Sequence, residues 1–489
     1  MSLLSGLRES CGVFGVYAPG EDVARVTFYG LYALQHRGQE SAGIATANGS
    51  KIHLRTGMGL ISQVFDEDAL SCLPGQSAIG HTRYSTTGSS RIENAQPLYL
   101  EGPRGPLALA HNGNLVNAEV LRHDLEEQGY TLETSSDSEL IASLLASAPG
   151  TTWEKRLGHV MRRIQGAYCV VGLTPNALLA MRDPYGIRPL CLGSLNGGWV
   201  VASESCALDH LGATYLREVE PGEALYIDET GVNSYKPVPS QRHALCIFEY
   251  IYFSRPDSLL HDNLLYPVRM AMGAELARQY PVEADLVIGV PDSAIAAAIG
   301  YSHQSGIPYA EGLVKNRYVG RTFIQPHQRL REVGVYLKFN PLRELLEDQR
   351  LVVVDDSIVR GTTTPRGVEM LRRAGAREVH MRITAPPIRH PCFFGIDMAS
   401  RWELIASHKS VEEIRRHIDA DSLAYQTIDG LLRAVAQTHD SFCMACFTGD
   451  YPMEVQLQMD KLVFERRPVR AGEKPEPVPA AWTWEEDRH

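Results

Sequence analysis

The chain has 489 residues, too many for one ordinary domain, so about two to four are expected. Hydrophobic residues make up 44% and charged residues 21%, which excludes wholesale disorder, a collagen-like fibre and a small disulfide-stapled scaffold. Acidic residues outnumber basic ones by 58 to 47, a formal charge of −11. Such a field repels nucleic acid, so small substrates are expected and an anionic one needs a local basic pocket. Nine cysteines, few and odd in number, suit a reducing compartment. No run approaches the roughly 18 unbroken apolar residues of a membrane span. Residues 1–10 (MSLLSGLRES) lack the apolar core and cleavage site of a secretory signal. The expectation is a cytoplasmic protein with no membrane partner.

Up to about residue 227, short apolar runs closed by Gly, Pro and Asn predict buried strands and tight turns, as in CGVFGVYA at 11–18 and LALAHNGN at 107–114. Helical periodicity predicts helices over 23–34, 115–128 and 138–147, the last with Ser136 and Glu139 spaced as a capping box. The segment SYKPVPSQRH at 234–243 reads as a linker. After it, helices alternate with the apolar strands LVIGV at 286–290 and LVVVD at 351–355, the rhythm of a parallel sheet built from βα units. From about residue 466 the chain is rich in Pro, Glu and Ala, and a disordered tail is expected.

Cys11 opens the first strand, where the ordinary reading is a core thiol. Three later segments bear on it: HTRYSTTG at 81–88 with Arg83, HNGN at 111–114, and SSDSEL at 135–140 with Asp137. Each has an ordinary reading too. Asn112-Gly113 is a hairpin signal, Asp137 complements a helix N-terminus, and Arg83 could be a surface cation. Taken in order, and with QHRGQESAGIA at 35–45, they resemble an N-terminal-nucleophile glutamine amidotransferase domain running from Cys11 to about residue 230. That resemblance implies stacked antiparallel sheets with helices. It also implies that Cys11 is the first residue of the mature chain and residues 1–10 a propeptide. The chemistry agrees: a free thiol has a pKa of about 8.5 and needs a base, which the α-amino group of the same residue supplies once it is free. While Ser10 is attached, that nitrogen is an amide. By the same resemblance Arg83 grips the α-carboxylate of glutamine and Asp137 its α-ammonium. Asn112 and the backbone N–H of Gly113 form the oxyanion hole, and Arg37 and Gly38 line the pocket.

The narrowest motif is LVVVDDSIVRGTT at 351–363, a strand running into two acids and then a loop of Ser, Gly and Thr before a helix that Thr364-Pro365 begins. Backbone N–H groups in such a loop hold anions, and the acids suit ribose hydroxyls or a cation. The general alternative is any strand-turn-helix of a doubly wound domain. The motif resembles the phosphoribosyl-diphosphate (PRPP) site of type I phosphoribosyltransferases, whose fold is a parallel sheet flanked by helices. This implies that Asp355 and Asp356 meet the ribose and Mg²⁺, and that Ser357, Ile358, Val359, Arg360, Gly361, Thr362 and Thr363 hold the 5′-phosphate. VPDSAIAAAIG at 290–300 resembles the pyrophosphate loop, with Ser293 as a further Mg²⁺ contact; the next position, often a hydroxyl residue in relatives, is Ala294 here. Lys315, Arg317 and Arg321 lie on KNRYVGRTFIQP at 315–326, read either as a solvated basic face or as a loop that closes over PRPP and helps bind inhibitory purine nucleotides.

The order of the two halves, with EYIYFSRPDS at 249–258 between them, resembles the amidophosphoribosyltransferase family over about residues 11–455. The implied domains are a propeptide at 1–10, a glutaminase at 11–240, a phosphoribosyltransferase at 241–465 and a tail at 466–489. The implied reaction is hydrolysis of glutamine at Cys11 and attack of the ammonia on C1 of PRPP. It yields 5-phosphoribosylamine, glutamate and pyrophosphate, the first committed step of purine biosynthesis. An ammonia channel between the sites and a homotetramer are likewise implied by the family. One branch carries cysteines in the contexts of Cys246, Cys392, Cys443 and Cys446 as ligands of a [4Fe–4S] cluster. Tetrahedral Cys₄ zinc is the physical alternative, and spacing alone does not separate the two. Two other functions are compatible with parts of the sequence. One is a glutaminase that feeds another acceptor, such as a sugar phosphate. The other is a catalytically silent regulatory protein in which residues 1–10 stay attached.

Overall fold

The computed structural model describes residues 11–84, 89–240, 242–316, 339–398 and 401–455. The propeptide segment, Arg317, Arg321 and the tail from 466 lie outside the described residues.

The first half stacks two antiparallel sheets between layers of helices. One sheet has the order Thr214–Glu218, Cys191–Leu195, Gly198–Ala202, Gly12–Tyr17, Ser77–Arg83, Ser41–Ala47, Ile52–Met58. The other runs Gly231–Tyr235, Ala224–Asp228, Leu178–Arg182, Gly166–Leu173, Gly105–Leu115, Leu98–Gly102. The period of two along each strand sorts its side chains between two cores. Val13 and Tyr17 pack between the sheets with Ala108 and Ala110, whereas Phe14 and Val16 face the helix Val23–Ala33. Leu107 and Leu109 face the helix Asp137–Ser147. Both strand faces are covered, which is why these segments read as unbroken apolar runs instead of alternating ones.

The second half is a parallel sheet in the order Leu286–Gly289, Arg350–Asp355, Glu378–Ile383, Ser422–Tyr425. Helices Leu265–Gln279, Ile295–Ser305 and Thr364–Arg373 accompany it. Pro365 stands in the first turn of the last of these, as expected of a residue whose missing N–H costs nothing there. Its core also takes in Val116, Ala167 and Ile187 of the first half, so the halves share buried apolar surface.

Three local expectations change. Asn112-Gly113 makes no hairpin turn but lies inside the long strand Gly105–Leu115, and the helix that follows therefore begins only at Ala118. Ser136 caps its helix by accepting from the Ser138 N–H, while the Glu139 carboxylate reaches back to the N–H groups of Glu133 and Thr134. Lys315 sits on a short strand, Leu313–Lys315, paired with Phe339–Pro341.

Candidate active sites

Cys11 immediately precedes the strand Gly12–Tyr17 and is 5% exposed. The Tyr84 N–H donates to its Sγ at 3.3 Å, and the thiol faces the Tyr84 carbonyl at 3.2 Å. Burial pushes the Cys11 thiol up, and the Tyr84 amide and the Arg83 charge pull it back only in part. A thiol in that state needs a base within reach to act as a nucleophile. Arg83 ends the neighbouring strand, buried, with Nη1 donating to the Ser89 carbonyl at 3.2 Å and lying 3.8 Å from Glu40.

Across the sheet stack lies the strand Gly105–Leu115. Both polar atoms of the Asn112 side chain are buried and have no hydrogen-bond partner among the described residues. A buried amide without partners is costly unless a ligand completes it. Gly113 has φ +146°, and a Cβ there would come within 2.0 Å of the Ala167 carbonyl, so no side chain fits. Asp137 opens its helix and accepts the Leu115 N–H at 3.0 Å, which ties it to the end of the same strand. Gly38 passes tightly under Thr82 and Arg83, where a Cβ would lie 2.5 Å from backbone. Arg37, expected in the pocket, has its guanidinium under the nucleophile instead. It donates to the Cys11 carbonyl at 3.2 Å and binds Glu204 at 2.5 Å and Glu249 at 2.8 and 3.1 Å. A fully buried guanidinium requires such carboxylate partners. Burial would raise the Glu249 carboxyl, but Arg37 and then Arg188 hold it below the usual carboxylate range.

Residues that sequence reasoning passed over also shape this site. The Gln96 side chain accepts the His111 N–H at 2.8 Å and donates to Ser138 at 2.9 Å, linking the strand to the Asp137 helix. Glu249 is an acid inside the apolar run CIFEYIYF, a mismatch that could have shown it to be a paired charge; Glu204, between two serines, carries no such signal.

The second constellation sits at the carboxyl ends of the parallel strands. Asp355, Asp356 and Ser357 are buried. Asp356 accepts from Ser293 at 2.7 Å on one oxygen and from Ser357 at 2.7 Å on the other, and its N–H donates to Asp355 at 2.9 Å. The structure therefore brings Ser293 to the acidic pair across the sheet. Ile358 and Val359 bury their side chains, so only their backbone can face a ligand. The Arg360 side chain turns to Glu403, at 2.6 and 3.1 Å, so its contribution to an anion is also a backbone one. Gly361 takes φ +65°, with its carbonyl held by His417 at 3.0 Å. Thr362 is exposed, and Thr363 stands at the N-cap position of the helix Thr364–Arg373 without a side-chain capping bond. Lys315 contacts Asp292 beside a cavity of about 530 Å³ lined by Gly289, Pro291, Tyr309 and Glu311.

The segments that carry the four cysteines lie next to one another. Cys246 and Cys443 are direct partners in a two-stranded parallel pair, and Cys446 follows in the turn Ala445–Thr448. Cys392 accepts the Phe394 N–H on its sulfur at 3.4 Å. Burial pushes all four thiols up, that of Cys443 to about 12, and the Cys446 thiol is raised further by Cys246, Cys443 and Cys392. Among the described residues no three His, Cys, Asp or Glu side chains gather closely enough to hold a single metal ion. No helix there is long and apolar enough to cross a membrane.

A glutamine amidotransferase domain model matches residues 81–210. The chain is 53% identical to an amidophosphoribosyltransferase of Synechococcus elongatus, covering 94% of each chain. It is 50% identical to that of Bacillus subtilis, covering 92% of this chain and 96% of the relative. The solved B. subtilis glutamine PRPP amidotransferase complexed with ADP and GMP superposes with a TM-score of 0.86 at 49% identity, over 91% of this chain and 98% of that one. With half of its residues shared along nearly its whole length, this chain belongs to the amidophosphoribosyltransferase family.

Proposed function

We infer that the protein is an amidophosphoribosyltransferase, a glutamine-dependent pentosyltransferase that opens purine biosynthesis. It moves ammonia from glutamine to C1 of PRPP and releases glutamate and pyrophosphate. The observation that carries this reading is the coexistence in one chain of two separate sites. One pairs a buried thiol held at Tyr84 with the Asn112 amide, which has no partner among the described residues; the other is an acidic pair at the end of a parallel strand.

In the first site Cys11 attacks the glutamine side-chain amide, its own α-amino group taking the thiol proton once residues 1–10 are removed. The oxyanion receives hydrogen bonds from Asn112 and from the Gly113 N–H. Arg83 binds the substrate carboxylate and Asp137 its ammonium, while Gly38 leaves room beneath the strand. In the second site the backbone of residues 357–363 cradles the 5′-phosphate at the start of the helix Thr364–Arg373. Asp355 and Asp356 orient the ribose, and Lys315 with Arg317 neutralises phosphate charge.

Asp355, Asp356 and Ser293 fit a hard cation, being oxygen donors joined in one hydrogen-bonded group. They would hold Mg²⁺, which supplies charge neutralisation of the departing pyrophosphate. The segments carrying Cys246, Cys392, Cys443 and Cys446 adjoin one another, and their four thiolates would hold a [4Fe–4S] cluster. Its role here is structural, since the transfer moves no electrons. Purine nucleotides as inhibitors, a homotetrameric assembly and a cytoplasmic location complete the reading.

Glutamate and pyrophosphate release are measured on anaerobically purified protein whose N-terminus is Cys11, with and without PRPP and Mg²⁺. Matched release of the two, strongly stimulated by PRPP, is expected. Glutamate release indifferent to PRPP would point to another acceptor. Metal analysis should find about four irons per chain. One zinc per chain would replace the cluster.

A further inference from the structure

Both catalytic groups of the glutaminase are held from behind by the other half of the chain. The strand Gly105–Leu115 carries Asn112 and Gly113, and the next residue, Asn114, donates its side-chain amide to the Phe393 carbonyl at 3.0 Å. Two residues further on, Gly395 backs directly onto Gly113. With φ +93°, it occupies a position where a Cβ would lie 3.1 Å from the Gly113 carbonyl and 3.3 Å from Arg188. Between them, the Phe394 carbonyl accepts from Arg188 at 2.8 and 3.2 Å.

The same arginine leads to the nucleophile. Arg188 Nη1 meets Glu249 at 3.3 Å, Glu249 binds Arg37, and Arg37 donates to the Cys11 carbonyl. Glu249 belongs to the irregular turn Glu249–Phe253 after the linker, and Phe393 to Gly395 come from a loop nearly 150 residues later. A path of contacts thus runs Cys11, Arg37, Glu249, Arg188, Phe394, Gly395, Gly113. Its three charged side chains are at most 1% exposed.

Buried ion pairs are a poor source of stability, because desolvating the charges offsets most of their attraction. What this path fixes is geometry: the separation between the thiol and the oxyanion donors, where displacements near an ångström cost about 10²-fold in rate. We propose that Glu249 and Arg188 are positioning residues for glutamine hydrolysis. Acting with the backbone at 393–395, they make the phosphoribosyltransferase half the rear wall of the glutaminase site. The proposal rests on reading Asn112 and Gly113 as the oxyanion hole.

The test uses the full mature chain with PRPP present and compares Gly395→Ala, Arg188→Lys and Asn112→Ala with the native enzyme. Glutamine-dependent and ammonia-dependent synthesis are measured, with KM and kcat for glutamine. Gly395→Ala adds one methyl and no charge. It should lower glutaminase kcat by about 10–100-fold with KM within about twofold, because the contact matters in the transition state only. Ammonia-dependent synthesis should stay at the native rate. Arg188→Lys keeps the charge but cannot grip Phe394 with two nitrogens, and should shift the same ratio, so the question stays answerable if Gly395→Ala does not fold. If Asn112→Ala is slow while the other two hydrolyse glutamine at the native rate, the proposal falls. If both variants lose glutamine- and ammonia-dependent synthesis equally, the path is structural and the proposal also falls. Native glutaminase activity in Asn112→Ala would instead remove the oxyanion reading beneath it.

Discussion

Asn112→Ala should separate stability from catalysis. In the folded chain the Asn112 amide is buried, and neither its nitrogen nor its oxygen has a partner among the described residues. Keeping such a group dry and unbonded costs about 1–3 kcal/mol, so deleting it relieves that penalty while leaving only a small void. The two effects nearly cancel, and the urea midpoint should move by no more than the equivalent of about 1 kcal/mol. Catalysis should respond very differently. Losing one oxyanion donor typically raises the barrier by about 2.7–4 kcal/mol, so glutamine hydrolysis should slow by about 10²–10³-fold. Because the bond is made to the tetrahedral intermediate, KM for glutamine should barely change. The assay is glutamate release at saturating PRPP, beside equilibrium unfolding of the same preparation. Destabilisation by more than about 2 kcal/mol would show that the amide is a structural partner. A glutaminase rate close to native would show that the oxyanion is stabilised elsewhere.

Cys11→Ala should abolish glutamine hydrolysis and leave ammonia-dependent transfer, since the acidic pair at Asp355 and Asp356 is a separate site; loss of both in a folded variant contradicts that separation. Arg37→Met leaves Glu249 and Glu204 short of a buried cation and should destabilise the fold by about 3–5 kcal/mol, read as a lower urea midpoint. An unchanged midpoint would mean that water reaches the pair. Asp356→Asn should impair both the glutamine- and the ammonia-dependent transfer while basal glutamate release persists, and native transfer rates would remove Asp356 from the site. Burial holds the His81 imidazole down at about 3, against 6.5 for a free one. The unfolded chain therefore binds the extra proton below about 6.5, and stability should fall as pH drops towards about 3, by up to about 1.4 kcal/mol per unit. Asp183, raised by burial to about 6, acts in the opposite sense between that value and 3.8. His81→Gln should flatten the acid limb of a pH series of unfolding midpoints, and an unaltered slope would refute the assignment.

Much of the site was legible because its chemistry is local. Asp355, Asp356 and the loop that follows are consecutive residues, so a strand end, two acids and a helix start can be read off one stretch of sequence. The same holds for the thiol at the head of a strand and for the apolar runs that become doubly covered strands. Local reading misled where tertiary packing overrode it. Asn112-Gly113 carries a turn signature, yet the neighbouring strand Gly166–Leu173 pairs straight past it. The resemblance placed the HRGQ arginine in the glutamine pocket, and in the structure its guanidinium lies between the Cys11 carbonyl and two acids from distant segments, which no local pattern announces.

Residue types in order along the chain were enough to show a family resemblance, and that resemblance implied the two chemistries and the cysteine contexts. Only the stretch from Asp355 to Thr363 acts through consecutive residues, which the chain cannot separate. Which distant groups meet was decided only by folding: Ser293 with Asp356, Cys246 beside Cys443, and Gly395 against Gly113. Those contacts join segments from about 60 to nearly 300 residues apart, and no period or motif in the intervening chain encodes such a distance. They arise because the two halves must bury a common apolar surface, and the buried charges then settle where partners from the other half can neutralise them.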